Sequence, residues 1–230
     1  TWNNCTNTGF SITYPNDVYF THQLMGYVVG ETGKMYKTSN GCSSWSALTT
    51  GTLVQLNAVS SQKTAWENNV IAVGGASLGE AVAIMSNDSG GTFDDITGAA
   101  VNPLYDVALT DQNVSFAVGD DGVFVSNPNK NPLAAVAGAT GLMGTPYAVE
   151  AFLNDNNTAI VVDSNGKVAK TVNAGADWTT AQTFLTGGFL LPGFGIDFQS
   201  VNNGLIVGGS GMMTKTTDGA ATWTDISTHV

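Results

Sequence analysis

The sequence contains no arginine and few charged residues of any kind. Seven lysines stand against 18 acidic residues, charged residues make up 11% of the chain, and the formal net charge is −11. An acidic surface of this kind repels phosphate backbones and anionic lipids. The sequence also lacks an apolar run of the length that a transmembrane helix needs. We therefore expect neither nucleic-acid binding nor membrane insertion.

Cysteine and histidine are equally scarce. Cys5 and Cys42 are the two cysteines, and His22 and His229 are the two histidines. The cysteines either form one disulfide, which would fit an oxidising compartment, or are two unpaired thiols. Neither belongs to a Cys-x-x-Cys motif, so the sequence predicts no zinc site.

Apolar residues (43%) and glycine (28 residues) are plentiful by contrast, which indicates a packed core and many tight turns. A β-branched run ending in Val-Gly or its equivalent recurs along the whole chain. Its last residue falls at positions 30, 74, 119, 163 and 208, so the successive spacings are 44, 45, 44 and 45. A regular period of about 40–50 residues is typical of the blades of a β-propeller.

Each repeat contains four predicted strands, and the second strand is apolar at successive positions. That pattern indicates burial on both faces, as in sheets that stack around an axis. The sequence therefore predicts an all-β protein, a β-propeller of five four-stranded blades in a single domain, 1–230. The predicted blades cover approximately 9–52, 53–98, 99–140, 141–187 and 188–230. Residues 1–8 form a surplus strand, which lies either on its own ring or on a neighbour's blade.

An eight-residue motif follows the third predicted strand of most repeats. It has the form Ser/Thr-x-Asp-x-Gly-x-Thr-Trp/Phe, known as the Asp box. Residues 86–93 match it throughout, residues 216–223 replace its glycine, residues 171–178 carry Asn for Asp, and residues 38–45 are a looser copy. The third repeat has lost the motif.

The chemistry of the box favours a structural role. Asp or Asn accepts hydrogen bonds from nearby amides and shapes a tight turn, and the aromatic residue fills the space between sheets. Sugar stacking by these tryptophans is the less favoured alternative. The residues with this structural role are Asn40, Trp45, Asp88, Phe93, Asn173, Trp178, Asp218 and Trp223.

These boxes resemble the Asp-box repeats of bacterial-neuraminidase type, and the longer repeat looks most like those of the photosystem II assembly and stability factor family. The resemblance covers nearly the whole chain and implies a propeller. That family is expected to have seven blades and an arginine-rich patch, which this chain does not match. Sialidases are expected to hold the substrate carboxylate with three arginines, so an arginine-free chain is not a sialidase.

Two groups of residues are candidates for a binding surface. One is an apolar segment within 184–194, which is either an interface or a private cap over the propeller; its large residues are Phe184, Phe189, Leu190, Leu191 and Phe194. The other is a set of acids on the hairpin turns, which either bind a cation such as Ca²⁺ or a basic partner, or serve as turn residues; they are Glu31, Glu80, Asp120, Asp121 and Asp163.

No catalytic set is recognisable in the sequence. We therefore expect a non-enzymatic structural or interaction module of an extracellular, cell-surface or virion assembly, with a protein partner or self-assembly and no bound cofactor. A glycan-binding propeller that uses Trp66 is one alternative. A glycoside hydrolase with a carboxylate pair such as Glu31 and Asp163 is the other.

Overall fold

Five four-stranded antiparallel sheets make up the protein. The structure, a computed structural model, describes residues 9–62, 69–111, 114–126, 132–136, 142, 144–152, 155–179, 182–183 and 191–227. Within these ranges no helix is long and apolar enough to cross a membrane. In every sheet the four strands are neighbours in chain order.

The strands are numbered along the chain, four to a blade. Blade 1 contains β1 (Pro15–His22), β2 (Met25–Gly30), β3 (Met35–Thr38) and β4 (Ser46–Leu48). Blade 2 contains β5 (Leu56–Ser61), β6 (Val70–Gly74), β7 (Val82–Ser86) and β8 (Asp94–Asp95). Blade 3 contains β9 (Leu104–Leu109), β10 (Ser115–Gly119), β11 (Gly122–Ser126) and β12 (Ala134–Ala135). Blade 4 contains β13 (Pro146–Ala151), β14 (Ala159–Asp163), β15 (Lys167–Thr171) and β16 (Gln182–Thr183). Blade 5 contains β17 (Gly193–Phe198), β18 (Gly204–Gly208), β19 (Met213–Thr216) and β20 (Thr224–Asp225). Two 3₁₀ turns lie at Glu31–Gly33 and Gly209–Gly211.

The first strand of each blade is the innermost, and these five strands line a central channel. The predicted five-bladed β-propeller is therefore confirmed. The second strands of blades 2, 3 and 4 are buried on both faces, because each of these blades packs between two others. In blade 2, Ile71 and Val73 pack against blade 3, whereas Ala72 packs against blade 1. We name the face toward the following blade the trailing face, and the face toward the preceding blade the leading face.

The glycine that ends the second strand is required by a close approach of backbone. A Cβ atom on Gly119 would lie 2.2 Å from the carbonyl oxygen of Pro103, and one on Gly74 would lie 1.9 Å from that of Gln55. Both carbonyls belong to the segment that enters the same blade's first strand. In these two blades a side chain at this point would displace the blade-to-blade connection, which explains their glycine, whereas blade 4 carries Asp163 at the matched position.

The ring of blades has an opening between its two ends. Extensive contacts join β1 to β5, β5 to β9, β9 to β13 and β13 to β17. No comparable set joins β17 back to β1 within the described residues. Among the described residues, no blade packs on the leading face of blade 1 or on the trailing face of blade 5, whereas a neighbouring blade covers every other face.

Candidate functional site

The Asp boxes are tight turns closed by their own side chains. In the blade 2 box the buried Ser86 hydroxyl donates to Asp88 Oδ1 (2.7 Å) and accepts from the Gly90 amide (2.8 Å). Asp88 in turn accepts from the amide of Thr92 (2.8 Å) and from its hydroxyl (2.9 Å). The turn is thus held by bonds between residues at most four positions apart, which is why it can be recognised from sequence.

The same bonds recur in the other three boxes. In blade 5 the amide of Ala220 donates to Thr216 Oγ1 (3.0 Å), and the amide of Thr222 donates to Asp218 Oδ1 (2.9 Å). In blade 4 the Asn173 side chain accepts from the Asp177 amide at 2.8 Å. In blade 1 the Asn40 side chain accepts from the Ser44 amide at 2.9 Å.

The two box aspartates are more acidic than usual. The Thr92 amide bond is the main cause that lowers the pKa of Asp88 to about 2, and the Thr222 hydroxyl bond is the main cause that lowers the pKa of Asp218 to about 2. Both carboxylates accept hydrogen bonds from their own turn, which favours a structural role for the box.

The box aromatics pack on neighbouring rings. Trp178 meets Phe116 of blade 3 edge-on, with ring centroids 6.4 Å apart, and Trp223 meets Phe198 at 6.1 Å. Trp45 packs on Phe10 at 5.6 Å. Phe93 belongs to the core between blades 1 and 2. Their position at blade junctions favours core packing over sugar stacking. Trp66 lies outside the described residues.

The acids of the hairpin-turn face bind backbone amides. Glu31 accepts from the Thr13 amide at 3.1 Å and from Lys34 at 3.3 Å. Asp121 accepts from the Asn102 amide at 2.8 Å, and buried Asp163 accepts from the amides of residues 144, 165 and 167. Glu80 accepts a hydrogen bond from the Ser77 hydroxyl, and Asp120 forms a side-chain hydrogen bond with Tyr105. The backbone bond from Thr13 is the main cause that lowers the pKa of Glu31.

The acids of this face hold turns in separate blades. Glu31 and Asp163, the carboxylate pair considered for glycoside hydrolysis, hold turns in blades 1 and 4. Within the part of the chain that the structure describes, no group of three His, Cys, Asp or Glu side chains is placed to hold a metal ion.

The apolar segment before blade 5 is only partly within the described residues. Phe184, Phe189 and Leu190 lie outside them. Leu191 packs against the core between blades 4 and 5. Phe194 is 57% exposed and lies 5.7 Å, ring to ring, from Tyr147, which contacts Tyr105 at 5.5 Å. These three rings occupy the same position in blades 3, 4 and 5 at one mouth of the channel.

Cys42 lies in the blade 1 box, where its backbone adopts a positive φ of 62°. Its sulfur is disulfide-bonded. Cys5, the other cysteine of the sequence, lies outside the described residues, so the Cys5–Cys42 pairing stays a prediction.

The central channel holds a cavity of about 370 Å³ lined by the inner strands of all five blades. Four carboxylates line it: Asp17, Asp106, Glu150 and Asp197. Asp17 and Asp106 connect successive blades, because Asp17 accepts from the Val59 amide and Asp106 from the Val149 amide, both at 2.9 Å.

Asp106 has a strongly perturbed titration. Burial raises the pKa of Asp106 to about 7, and the nearby Asp17 carboxylate adds to the increase, although amide bonds from Val149 and Val107 oppose it. The pKa of Tyr19 is also raised, first by burial and then by Glu150. Asp106 is therefore partly protonated near neutral pH.

The trailing face of blade 5 exposes side chains that every other blade buries. Leu205 is 43% exposed, whereas the matched residues of blades 1–4 are at most 1% exposed: Tyr27, Ile71, Phe116 and Ile160. Val207 is 44% exposed, whereas its matched residues are 0% exposed: Val29, Val73, Val118 and Val162. Met213 is 39% exposed, whereas its matched residues are at most 5% exposed: Met35, Ala83, Val123 and Val168.

The opposite end of the ring is half covered. On the leading face of blade 1, Val18 is 55% exposed, whereas the matched Val59, Val107 and Val149 are at most 5% exposed. The outer part of this face is buried beneath Phe10 and Ile12 from the segment before β1. The sequence does not distinguish either face, because the residues of both faces carry the same apolar pattern as buried residues.

Comparisons with known proteins agree with the fold. No protein-family model matches the chain, and no curated protein matches it in sequence. Among solved structures, YCF48 bound to a D1 peptide is 15% identical over 92% of this chain and 80% of that one, with a TM-score of 0.56. YCF48 from Cyanidioschyzon merolae is 13% identical over 92% and 84%, with a TM-score of 0.52.

A GH74 xyloglucanase from Xanthomonas campestris is 15% identical with a TM-score of 0.73. The likeness covers 98% of this chain but 39% of the xyloglucanase, so the chain spans about two fifths of that enzyme's length. At such low identity these likenesses show the β-propeller fold alone. The family resemblance of the repeats stays a prediction.

Proposed function

We propose that this protein is a non-enzymatic interaction module that binds another protein through the trailing face of blade 5. The observation that carries the proposal is the exposure of Leu205, Val207 and Met213 at positions that four other blades bury. Contiguous exposed apolar patches of this kind mark protein interfaces in soluble proteins. Ile226, 36% exposed, extends the patch along β19, where its amide bonds to the Met213 carbonyl.

The chemistry of the remaining surface supports a non-catalytic role. Three of the acids on the hairpin turns, Glu31, Asp121 and Asp163, accept hydrogen bonds from backbone amides. The box aspartates accept hydrogen bonds from their own turns. One propeller neighbour, YCF48, is bound to a peptide in its own structure, which is a precedent for protein binding by this fold. A disulfide at Cys42 favours an extracellular, cell-surface or virion setting, where disulfides persist.

Photo-crosslinking in the producing cells tests the proposal. The photoreactive residue p-benzoylphenylalanine replaces Leu205 in one variant and Leu53 in the control, because Leu53 is 86% exposed but lies between β4 and β5, off both open faces. We expect a defined protein adduct at position 205 that is absent at position 53 and is lost when Val207→Asp is added. The absence of an adduct at 205, or equal adducts at both positions, would refute the proposal.

Glycan binding is the second candidate, favoured by the ring cluster of Tyr105, Tyr147 and Phe194 at the channel mouth. Aromatic rings with exposed faces are a common element of sugar sites. A glycan array with the native chain and with Tyr147→Ala tests this candidate. Binding to a sugar that the substitution abolishes would support it, and a silent array would exclude it.

A further inference from the structure

We propose that the trailing face of blade 5 binds the leading face of blade 1 in a second copy of this chain, so that copies associate head to tail. This inference rests on the proposed function, because it names the occupant of the same face. It is argued from the four blade junctions that the structure already contains.

The two uncovered faces are complementary halves of one kind of junction. At each of the four internal junctions a trailing face packs on a leading face. Blade 1 presents the one leading face that no blade covers among the described residues. At the junction of blades 1 and 2, Tyr27 and Val29 pack with Val59. Across copies the matched residues are Leu205, Val207 and Val18.

A lysine supports the same pairing through its hydrogen bond. In blade 1, Lys37 Nζ donates to the Ser89 carbonyl in the box of blade 2 (3.1 Å), and in blade 4, Lys170 Nζ donates to the matched carbonyl in the box of blade 5 (2.9 Å). Lys215 occupies the matched position on the trailing face of blade 5. The corresponding acceptor in a second copy is the Gly41 carbonyl of the blade 1 box.

The segment before β1 competes with the second copy. Phe10 packs on Tyr36 at 5.1 Å, and buried Ile12 joins the same cluster over Val28. The residues matched to Tyr36 are Ile84 in blade 2 and Phe124 in blade 3. In both blades the preceding blade covers this residue. Docking therefore displaces Phe10 and Ile12, which keeps association weak. Removing these side chains strengthens it.

Head-to-tail contact is heterologous, since two different faces meet, and it leaves one face of each kind free at the ends. Such contacts produce a concentration-dependent series of oligomers and not a single closed dimer. A dimer formed by two trailing faces would instead stop at two copies. The two arrangements can therefore be separated with variants that block one face at a time.

Sedimentation velocity of the purified chain over a concentration series provides the test. Leu205→Asp blocks the trailing face and Val18→Asp blocks the leading face, and both positions are exposed, so both variants should fold. We expect the native chain to form a series of oligomers and each variant alone to associate at least tenfold more weakly. An equimolar mixture of the two variants should form a dimer and nothing larger. Phe10→Ala should strengthen association severalfold in the native background.

The control is Leu53→Asp, an acidic substitution at an exposed apolar residue outside both faces, which should associate like the native chain. Circular dichroism and thermal unfolding confirm that every variant is folded. A native chain that stays monomeric, or a Val18→Asp variant that still dimerises by itself, overturns the head-to-tail proposal. A cross-link from position 205 to a different protein, together with a monomeric native chain, overturns it while the proposed interaction function stands.

Discussion

Raising the pH from about 4 to about 7 should weaken this propeller, and one carboxylate in the channel accounts for the effect. Asp106 lies among the inner strands and accepts amide bonds from Val107 (2.8 Å) and Val149 (2.9 Å). Burial raises the pKa of Asp106 from its ordinary value near 3.8 to about 7. The perturbation we consider is a change of pH combined with Asp106→Asn.

The sign follows from proton linkage. In the unfolded chain Asp106 loses its proton near pH 4, whereas in the folded protein it keeps the proton until about pH 7. Between these values the folded state binds more protons, so the free energy of unfolding decreases as pH rises. A shift of about three pKa units corresponds to about 4 kcal/mol, which is present below pH 4 and lost by about pH 7.

Urea unfolding at a series of pH values from about 4.5 to 8 measures the effect. Asp106→Asn should remove most of the slope, because asparagine does not titrate. It should also lower stability at acidic pH by about 1–3 kcal/mol, because its amide nitrogen cannot accept the second N–H bond.

Asp197→Asn is the matched control, since Asp197 lines the same channel but is exposed, and this variant should keep the native slope. A native free energy of unfolding that stays flat or increases between pH 5 and 7 would refute the reasoning. An equal slope in the Asp106→Asn variant would do the same.

Three further predictions concern the turns and junctions. Ser86→Ala should lower the free energy of unfolding by about 1–3 kcal/mol in urea titrations, because the buried Gly90 amide loses its acceptor. The control is Asn87→Ala, an exposed position in the same box, which should change the free energy of unfolding by less than about 0.5 kcal/mol. Asp218→Asn should make the urea midpoint less dependent on pH between about pH 4 and 2, because the lowered pKa of Asp218 contributes stability that is lost as pH falls through about 2. A variant whose urea midpoint falls with pH as much as that of the native chain would contradict this. Gly119→Ala should destabilise by about 1–3 kcal/mol through its clash with a carbonyl oxygen at 2.2 Å. Gly195→Ala, whose Cβ would meet a methyl group of Val207 at 3.3 Å and no backbone atom, should cost less in the same assay.

Much of the fold could be predicted from sequence because its signals are local. The Val-Gly period locates the second strand of each blade, and the Asp box locates the turn after the third. In the box, the hydrogen bonds of Ser86 and Asp88 join residues at most four positions apart. The sequence pattern of the box therefore predicts the geometry of its turn. The apolar segment within 184–194 shows the limit of such reasoning. Leu191 joins the core and Phe194 is exposed, although both carry the same apolar signal.

The sequence by itself determined the number of repeats, the strand order and the box turns, because these depend on residues close together in the chain. Only the tertiary structure decided that Leu205 is accessible while Ile71, at the same point of its repeat, is buried. It also decided that Asp106 has a raised pKa, whereas the lowered pKa values of the box aspartates come from hydrogen bonds within their own turns. Burial and desolvation depend on elements that are about 45 residues or more apart in the chain. The presence of a neighbouring blade therefore determines whether a side chain is buried, and its residue type does not.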